Sequence, residues 1–512
     1  MENTQNFDTQ ADITQPPIQP NNVTKGITLT PMQETTLHKI LDFINHPTDR
    51  VFILRGYAGT GKTTLMRFLV KRLEEMETDY RLLASTGRAA KILANLAEKP
   101  EVTSTIHSII YTFNGLNKEV EVEKEERPKV DTTGQLYLIF NKATLRTDHS
   151  ATVYIIDEAS MVSDVECKDV VQAKFGDGRV LRDLLEYDER PNSKFIFVGD
   201  PCQLPPIEEY YSPALMSDYF SRVFSINAHE AELTEIMRQS SDNDIITASK
   251  QIRELYRNAP DEASAYPANG RRVWGYLPFR QCGNITFHAN LGELIDNYVE
   301  NIRSNGFESA TLICRSNTAC LKLSNNIRQQ LQFNPGSLCK GDLLLVVQNN
   351  ITTGLLNGDM ITVESIAPSV TRLAGLTFRQ VQVKELFTQN IYTTLIIEEL
   401  LYQPSPNLNQ AQQQELFLDF IYRMHAKGIS QKKNRDTFYW NMEHDPYLNA
   451  LRCAWGYAIT CHKAQGGEWD DVYLNAPRDI TLNPIKDKYQ WIYTAMTRAR
   501  STLHVVNDFF YR

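Results

Sequence analysis

The chain of 512 residues is too long for one core and suits roughly three or four domains; its 42% hydrophobic and 22% charged residues are ordinary for a globular protein. A formal net charge of −9 excludes a surface that is basic all over, so a nucleic-acid partner would need a local groove. The eight cysteines show no CxxC spacing and read as free thiols of a reducing compartment, and no apolar run reaches the roughly 20 residues of a membrane span, so a cytoplasmic location without a membrane partner is expected.

Residues 1–24 are polar and Pro-containing and read as a disordered tail, lacking the charged and apolar regions of a signal peptide. Order is expected from "ITLTPMQETTLHKILDFI". Thr30 is a helix cap, Pro31 takes the first helical position, and Leu37, Ile40, Leu41 and Ile44 follow the helical period. "VFILRG", "YRLLAST", "TVYIIDEAS" and "KFIFVGD" are short apolar runs separated by helical stretches. That pattern predicts an α/β unit, over 25–223, with a parallel sheet buried on both faces.

The segment 111–149 breaks the rhythm and predicts a β-hairpin insertion. Its charged "EVEVEKEER" suits either an edge ribbon or a working wedge, and Leu136, Tyr137, Ile139 and Phe140 could pack on a core or present an aromatic. A second α/β unit is expected over 224–339 and 452–512. Between its halves, 340–451, "GDLLLVVQNN" and "LLNGDMITVESI" predict antiparallel strands of a small barrel. The stretch 407–440 then reads as a helical arm with a basic, aromatic end, either solvated or docked on a protein partner.

"GYAGTGKTT" fits GxxxxGK[ST] between a strand and a helix, the context of a true phosphate loop. Its glycines let backbone amides close around phosphates at a helix start. Gly56, Ala58, Gly59, Thr60, Gly61, Lys62, Thr63 and Thr64 are the expected ATP contacts, with Lys62 on the β/γ-phosphates and Thr63 on Mg²⁺. Asp157 and Glu158 end a buried strand at the carboxyl edge, where ligands bind. Asp157 suits a Mg²⁺ ligand through water and Glu158 a base for attacking water. Gln203 in "VGDPCQLPPI" could touch both the γ-phosphate and that water. The polar loop "TCHKAQGGEW" from Thr460 to Trp469 sits between two apolar strands, an arrangement that concentrates function.

GYAGTGKTT, IIDEAS, GDPCQLPPI, "LTEIMRQ", "TCHKAQGGEW" and "YTAMTRAR" occur in the order found in superfamily 1 helicases, and their spelling resembles the RecD/Dda-like group of these AAA-type P-loop ATPases. The resemblance implies two RecA-like parallel-sheet domains with ATP between them, in a monomeric motor that walks 5′ to 3′ on single-stranded DNA and opens duplex junctions. It implies that Gln33 reads adenine, that Arg238 and Arg498 reach the γ-phosphate, and that Gly466, Glu468 and Gln465 face the nucleotide. It places Thr86, Arg88, Thr105 and His107 of the first domain, and Thr460 and His462 of the second, on the DNA strand. Ala464 departs from the group, standing where a serine is common. A second reading is an ATP-gated sensor or loading subunit of a repair or defence assembly that barely unwinds. A P-loop kinase would leave Gln203, Arg238, Arg498 and the Thr460 loop without roles.

Overall fold

The computed structural model describes residues 28–120, 135–143, 145, 151–166, 172–235, 244–260, 273–280 and 282–512. The tail 1–24, most of the hairpin tip and Arg238 lie outside the described residues.

The first sheet is parallel throughout. Its strands run in the order Thr103–Thr105, Tyr80–Ala84, Val153–Asp157, Lys194–Gly199, Val51–Gly56 and Ala228–Leu233. The apolar runs still obey a period of two, because each face has its own cover. Phe52 and Leu54 pack with Leu65 and Leu69 of the helix Lys62–Glu75, while Val51 and Ile53 pack with Ile106, Leu181 and Phe220 on the other side.

The second parallel sheet has the order Ile285–His288, Ala499–Val506, Trp469–Asn475, Ala310–Cys314 and Ala458–Thr460. The two sheets make the chain an α/β protein with two parallel-sheet units. After Cys314 and the helix Asn317–Gln330 the chain leaves the second sheet and returns to it only at Ala458.

The excursion builds a five-stranded antiparallel sheet in the order Ile391–Ile397, Leu376–Glu385, Met360–Leu373, Leu343–Val346 and Cys453–Trp455. Leu451 accepts from the Ile397 amide at 3.2 Å and donates to the Leu395 carbonyl at 2.7 Å, curling one edge back towards the other. The sheet is anchored by a fully buried ion pair, Arg328 Nε to Asp342 at 2.8 Å, with the Tyr457 hydroxyl on the same carboxylate at 2.9 Å and Trp455 beneath the guanidinium at 3.8 Å. It also reaches the first unit: Lys91 pairs with Asp359 at 2.5 Å and Glu385 at 2.8 Å.

The insertion in the first unit shows antiparallel strands Tyr111–Leu116 and Leu138–Lys142, with Ala173–Phe175 added in parallel. Leu136 is buried and Phe140 stacks on Phe175 at 4.6 Å, so both pack on a core. That core is shared with the arm. Phe417, Phe420, Ile421 and Met424 of the helix Gln410–Ala426, and Phe438 and Met442 of the helix Arg435–His444, close over Leu116 and Leu136. Gln414 accepts from the Leu136 amide at 2.7 Å, the Tyr439 hydroxyl accepts from the Leu116 amide at 3.2 Å, and Arg435 donates to the Asn114 carbonyl at 3.0 Å. The arm is therefore a strap onto the chain's own insertion and not a helix solvated all round.

Phe438→Ala should cost about 3–5 kcal/mol of packing in this shared cluster. Hydrogen exchange should show residues 410–426 and 111–116 losing protection together; loss confined to the arm would mean that the two do not share a core.

Candidate nucleotide and strand site

Strands Val153–Asp157, Lys194–Gly199 and Val51–Gly56 are neighbours, so their carboxyl ends bring Asp157, Asp200 and the phosphate loop side by side. The loop closes through left-handed Gly59 (φ 79°) and Gly61 (φ 76°), a conformation that costs a glycine little. A Cβ on Gly56 would meet Thr60 Oγ1 at 2.8 Å and Lys62 Cγ at 2.9 Å, so the turn admits no side chain there. Lys62 Nζ donates to the carbonyls of Gly56 at 2.6 Å and Tyr57 at 3.1 Å. Thr63 and Thr64 follow in the first turn of the helix.

Gln33 completes a capping box with Thr30 and donates to the Thr60 and Gly61 carbonyls at 3.3 and 3.5 Å. Its buried amide thus braces the back of the loop. Burial, then the neighbouring Glu158 charge, push the Asp157 carboxyl up to about 7, against the Glu158 amide, which donates to it at 2.9 Å, and the Lys62 charge. Such a carboxylate gains from a divalent cation. The Thr63 hydroxyl with Asp157 is the sparse oxygen set that Mg²⁺ takes alongside water and phosphate. Another acidic trio, Asp177, Asp183 and Glu186, already holds the Lys142 ammonium, at 2.5 Å from Asp177 and 2.7 Å from Glu186.

The loop after Gly199 is stitched to the second unit by the helix Lys486–Met496. The Tyr493 hydroxyl donates to Asp200 Oδ2 at 2.7 Å and accepts from the Ala58 amide at 3.0 Å. Gln490 donates to the Gln203 carbonyl at 3.0 Å, and Thr494 accepts from the Leu204 amide at 2.9 Å. Gln465, from the Thr460 loop, donates to the Leu204 carbonyl at 3.2 Å. The side-chain oxygens of Gln203, Gln465 and Gln490 are buried without a hydrogen-bond donor among the described residues. They offer acceptors for water or a ligand hydroxyl. Sequence reasoning placed Asp200 at this strand end without a role and missed Gln490, Tyr493 and Thr494. The signal was present: positions 490, 493 and 494 are three and four apart in "QWIYT" and share a helix face.

Arg498 is buried, and its guanidinium donates to the carbonyls of Thr494 at 3.1 Å and Gly467 at 3.4 Å. Gly466 (φ 74°) lies 3.5 Å from Ala89 as measured from an added Cβ, and Glu468 is exposed.

The residues expected on the strand divide. Thr86 and Thr105 stand at the carboxyl edge of the first sheet, each capping a short helix by accepting from Ala89 and Ser108 amides at 3.3 Å. Thr460 ends its strand at the carboxyl edge of the second sheet, opposite Cys314. His107 packs against Tyr111 and Phe175, and burial lowers its pKa, as it does that of His462; both are neutral donors or acceptors rather than cations. Arg88, expected on the strand, lies at the junction. Its guanidinium lies over the Trp469 ring at 4.8 Å, largely desolvated, in the junction between the two units. Lys463, in the same polar loop, is half-buried beside Thr460, and burial pushes its ammonium down to about 8.

The AAA domain family model matches residues 28–181, and that of the UvrD-like helicase C-terminal domain matches residues 456–506. An uncharacterized protein of Acanthamoeba polyphaga mimivirus is 24% identical over 520 residues, covering 92% of this chain and 98% of that protein. The ATP-dependent DNA helicase dda of Enterobacteria phage T4 is 29% identical over 226 residues, 44% of this chain and 42% of that protein. The RecBCD enzyme subunit RecD of Buchnera aphidicola is 21% identical over 505 residues, 91% of this chain and 71% of that protein. Among solved structures, the Pif1 helicase from Bacteroides in complex with ADP-AlF3 and ssDNA shares 17% identity, with a TM-score of 0.47 and coverage of 94% of this chain and 93% of that one.

A carboxyl raised from 3.8 to about 7 on folding binds a proton that the unfolded chain releases, so its contribution to stability is full below pH 4 and is lost as pH rises through about 7. Without metal, the melting temperature should carry a falling component between pH 5 and 7.5 that Asp157→Asn removes. An unchanged slope in that variant would place the titration elsewhere.

Proposed function

We propose that this chain is a superfamily 1 helicase of the RecD/Dda-like group, an ATP-dependent motor that steps 5′ to 3′ along single-stranded DNA and separates duplex at a junction. One observation carries the reading. Strands Ala458–Thr460 and Trp469–Asn475 are both parallel to Ala310–Cys314. The segment 461–468 must therefore run back from the carboxyl edge of the second sheet to its amino edge. Thr460 begins that segment on the strand side, Gln465 grips the loop of Gln203 midway, and Gly466 and Glu468 end it on the nucleotide side. A change at the nucleotide would be transmitted to the strand through eight residues.

In this proposal the first domain is 25–233, because the strand Ala228–Leu233 pairs with Val51–Gly56 in the first sheet and moves the boundary expected at 223; 244–339 and 456–512 form the second, and 340–455 the insertion, whose sheet takes in Cys453–Trp455. Lys62 neutralises the β/γ-phosphates, Thr63 and Asp157 hold Mg²⁺, Glu158 takes the proton from water, Gln203 senses the γ-phosphate, and Arg238 and Arg498 approach it as the units close. Thr86, Thr105, Thr460 and His462 supply short donors to backbone phosphates. For Arg498 to act, its guanidinium must leave the Thr494 and Gly467 carbonyls. The motor acts as a monomer, and a protein partner on the arm would meet its outer face, where Trp440 is exposed. Among the described residues no helix is long and apolar enough to cross a membrane.

Glu158→Gln should keep nucleotide binding and lose about 10²–10⁴ in hydrolysis rate, since Asp157 still serves the metal. Lys62→Ala should abolish hydrolysis stimulated by single-stranded DNA. Strand displacement tests the motor itself: the parent chain should open a 5′-tailed duplex and leave a 3′-tailed one closed. Stimulated hydrolysis without displacement of either would replace the motor with an ATP-gated sensor.

A further inference from the structure

Tyr57, the second residue of the phosphate loop, is only 5% exposed because the helix Asp244–Asn258 lies on it. Its hydroxyl donates to Glu232 and accepts from Arg257, and burial, reinforced by Glu232, pushes its pKa up to about 12. Arg257 is matched: Glu232 stands 3.5 Å away. Arg253, one turn earlier, is not. Its guanidinium sits 4.0 Å from the centroid of the Tyr57 ring, the residue is 9% exposed, and it makes no hydrogen bond or ion pair among the described residues. A guanidinium carries a planar fork of donors, and none of the Arg253 nitrogens is among the fully buried polar atoms without a partner, so the stem is covered while the fork stays open to water or a ligand. An aromatic face attracts the cation but accepts none of those donors.

The position says what could match them. Ile245, Ala248 and Ile252 of its helix pack with Tyr57 of the phosphate loop and with Cys202 and Leu204 of the next loop, so the helix that carries Arg253 lies against both loops. Lys62, the residue type that reaches the β/γ-phosphates in such loops, rests on the carbonyl of the same Tyr57 at 3.1 Å. Arg498, meanwhile, has its donors on main-chain carbonyls.

We propose that Arg253 is a third arginine of the nucleotide site, beyond Arg238 and Arg498, whose guanidinium ligates the terminal phosphate of bound ATP from the helix Asp244–Asn258. The proposal rests on the ATP-site reading above. Bidentate contact with phosphate oxygens is what the guanidinium fork fits best. The same helix packs on Lys486–Met496, so the contact would tie the terminal phosphate to the helix that carries Gln490, Tyr493 and Thr494. Loss of that phosphate on hydrolysis would release the tie.

Equilibrium binding of Mg·ADP and of a non-hydrolysable Mg·ATP analogue to the full chain tests this. Arg253→Gln should weaken the analogue at least tenfold and leave Mg·ADP within twofold, with kcat lowered as well. Arg253→Lys, which keeps the charge but not the fork, should recover part of the analogue affinity. Retained ADP affinity shows that the loop itself is intact. Equal loss of both nucleotides in both variants would make Arg253 a packing support for Tyr57, and no loss in either would leave it outside the site; both outcomes overturn the proposal. A parent chain that binds neither nucleotide would instead overturn the ATP-site reading.

Discussion

One buried hydroxyl joins the two halves of the molecule. Tyr493 donates to Asp200 and accepts from Ala58, so the second unit's helix satisfies a fully buried carboxylate and a phosphate-loop amide with one group. A buried carboxylate without donors is among the least tolerable groups in a protein interior. Asp200 has only the Cys202 amide, at 2.9 Å, from its own loop. The placement of the nucleotide edge therefore depends on the second unit being docked. The neighbouring contacts of Gln490, Thr494 and Gln465 are each ordinary hydrogen bonds, and they follow once that hydroxyl is in place.

Much of this was legible in the sequence because it was local. The phosphate loop announces itself by its glycines, the DE pair by its place after a buried strand, and the helix at Pro31 by its cap. What was not legible depends on distant partners. Arg88 lies in "STGRAA" and reads as a basic loop residue until Trp469, nearly 400 positions away, takes its guanidinium. His107 reads as a polar donor until Phe175 closes on it. The arm was legible in part. "ELFLDFIYRM" is apolar on more than one helix face, which marks a buried helix. Leu416 packs with Leu376 and Phe378 of the antiparallel sheet while Phe417 and Phe420 pack on the hairpin strands. No local pattern names two partners on opposite sides.

Burial also sets the electrostatic character of the surface proposed to face the strand. His107 and His462 are held neutral by desolvation and Lys463 is drawn down to about 8, so the polar groups beside Thr105 and Thr460 carry less charge than their residue types suggest. Weakly charged, short donors hold a backbone without gripping it. This agrees with a chain whose net charge is −9 and whose cations elsewhere, such as Arg328, Lys91 and Lys142, are committed to internal carboxylates.

The strap of residues 410–444 has a kinematic consequence. The second unit with its insertion touches the first at the Tyr493 junction, at Trp469 under Arg88, at Lys91 with Asp359 and Glu385, and at the arm over Leu116 and Leu136. A body pinned at one place swings freely; one pinned at several can move only if a pin yields. The arm contact is a broad apolar cluster that resists sliding, and the Tyr493 contact is buried. Lys91 keeps a quarter of its side chain exposed, and water can stand in for either carboxylate. Relative motion of the two units is thereby reduced from a free hinge to a rocking with the ion pair as its soft point.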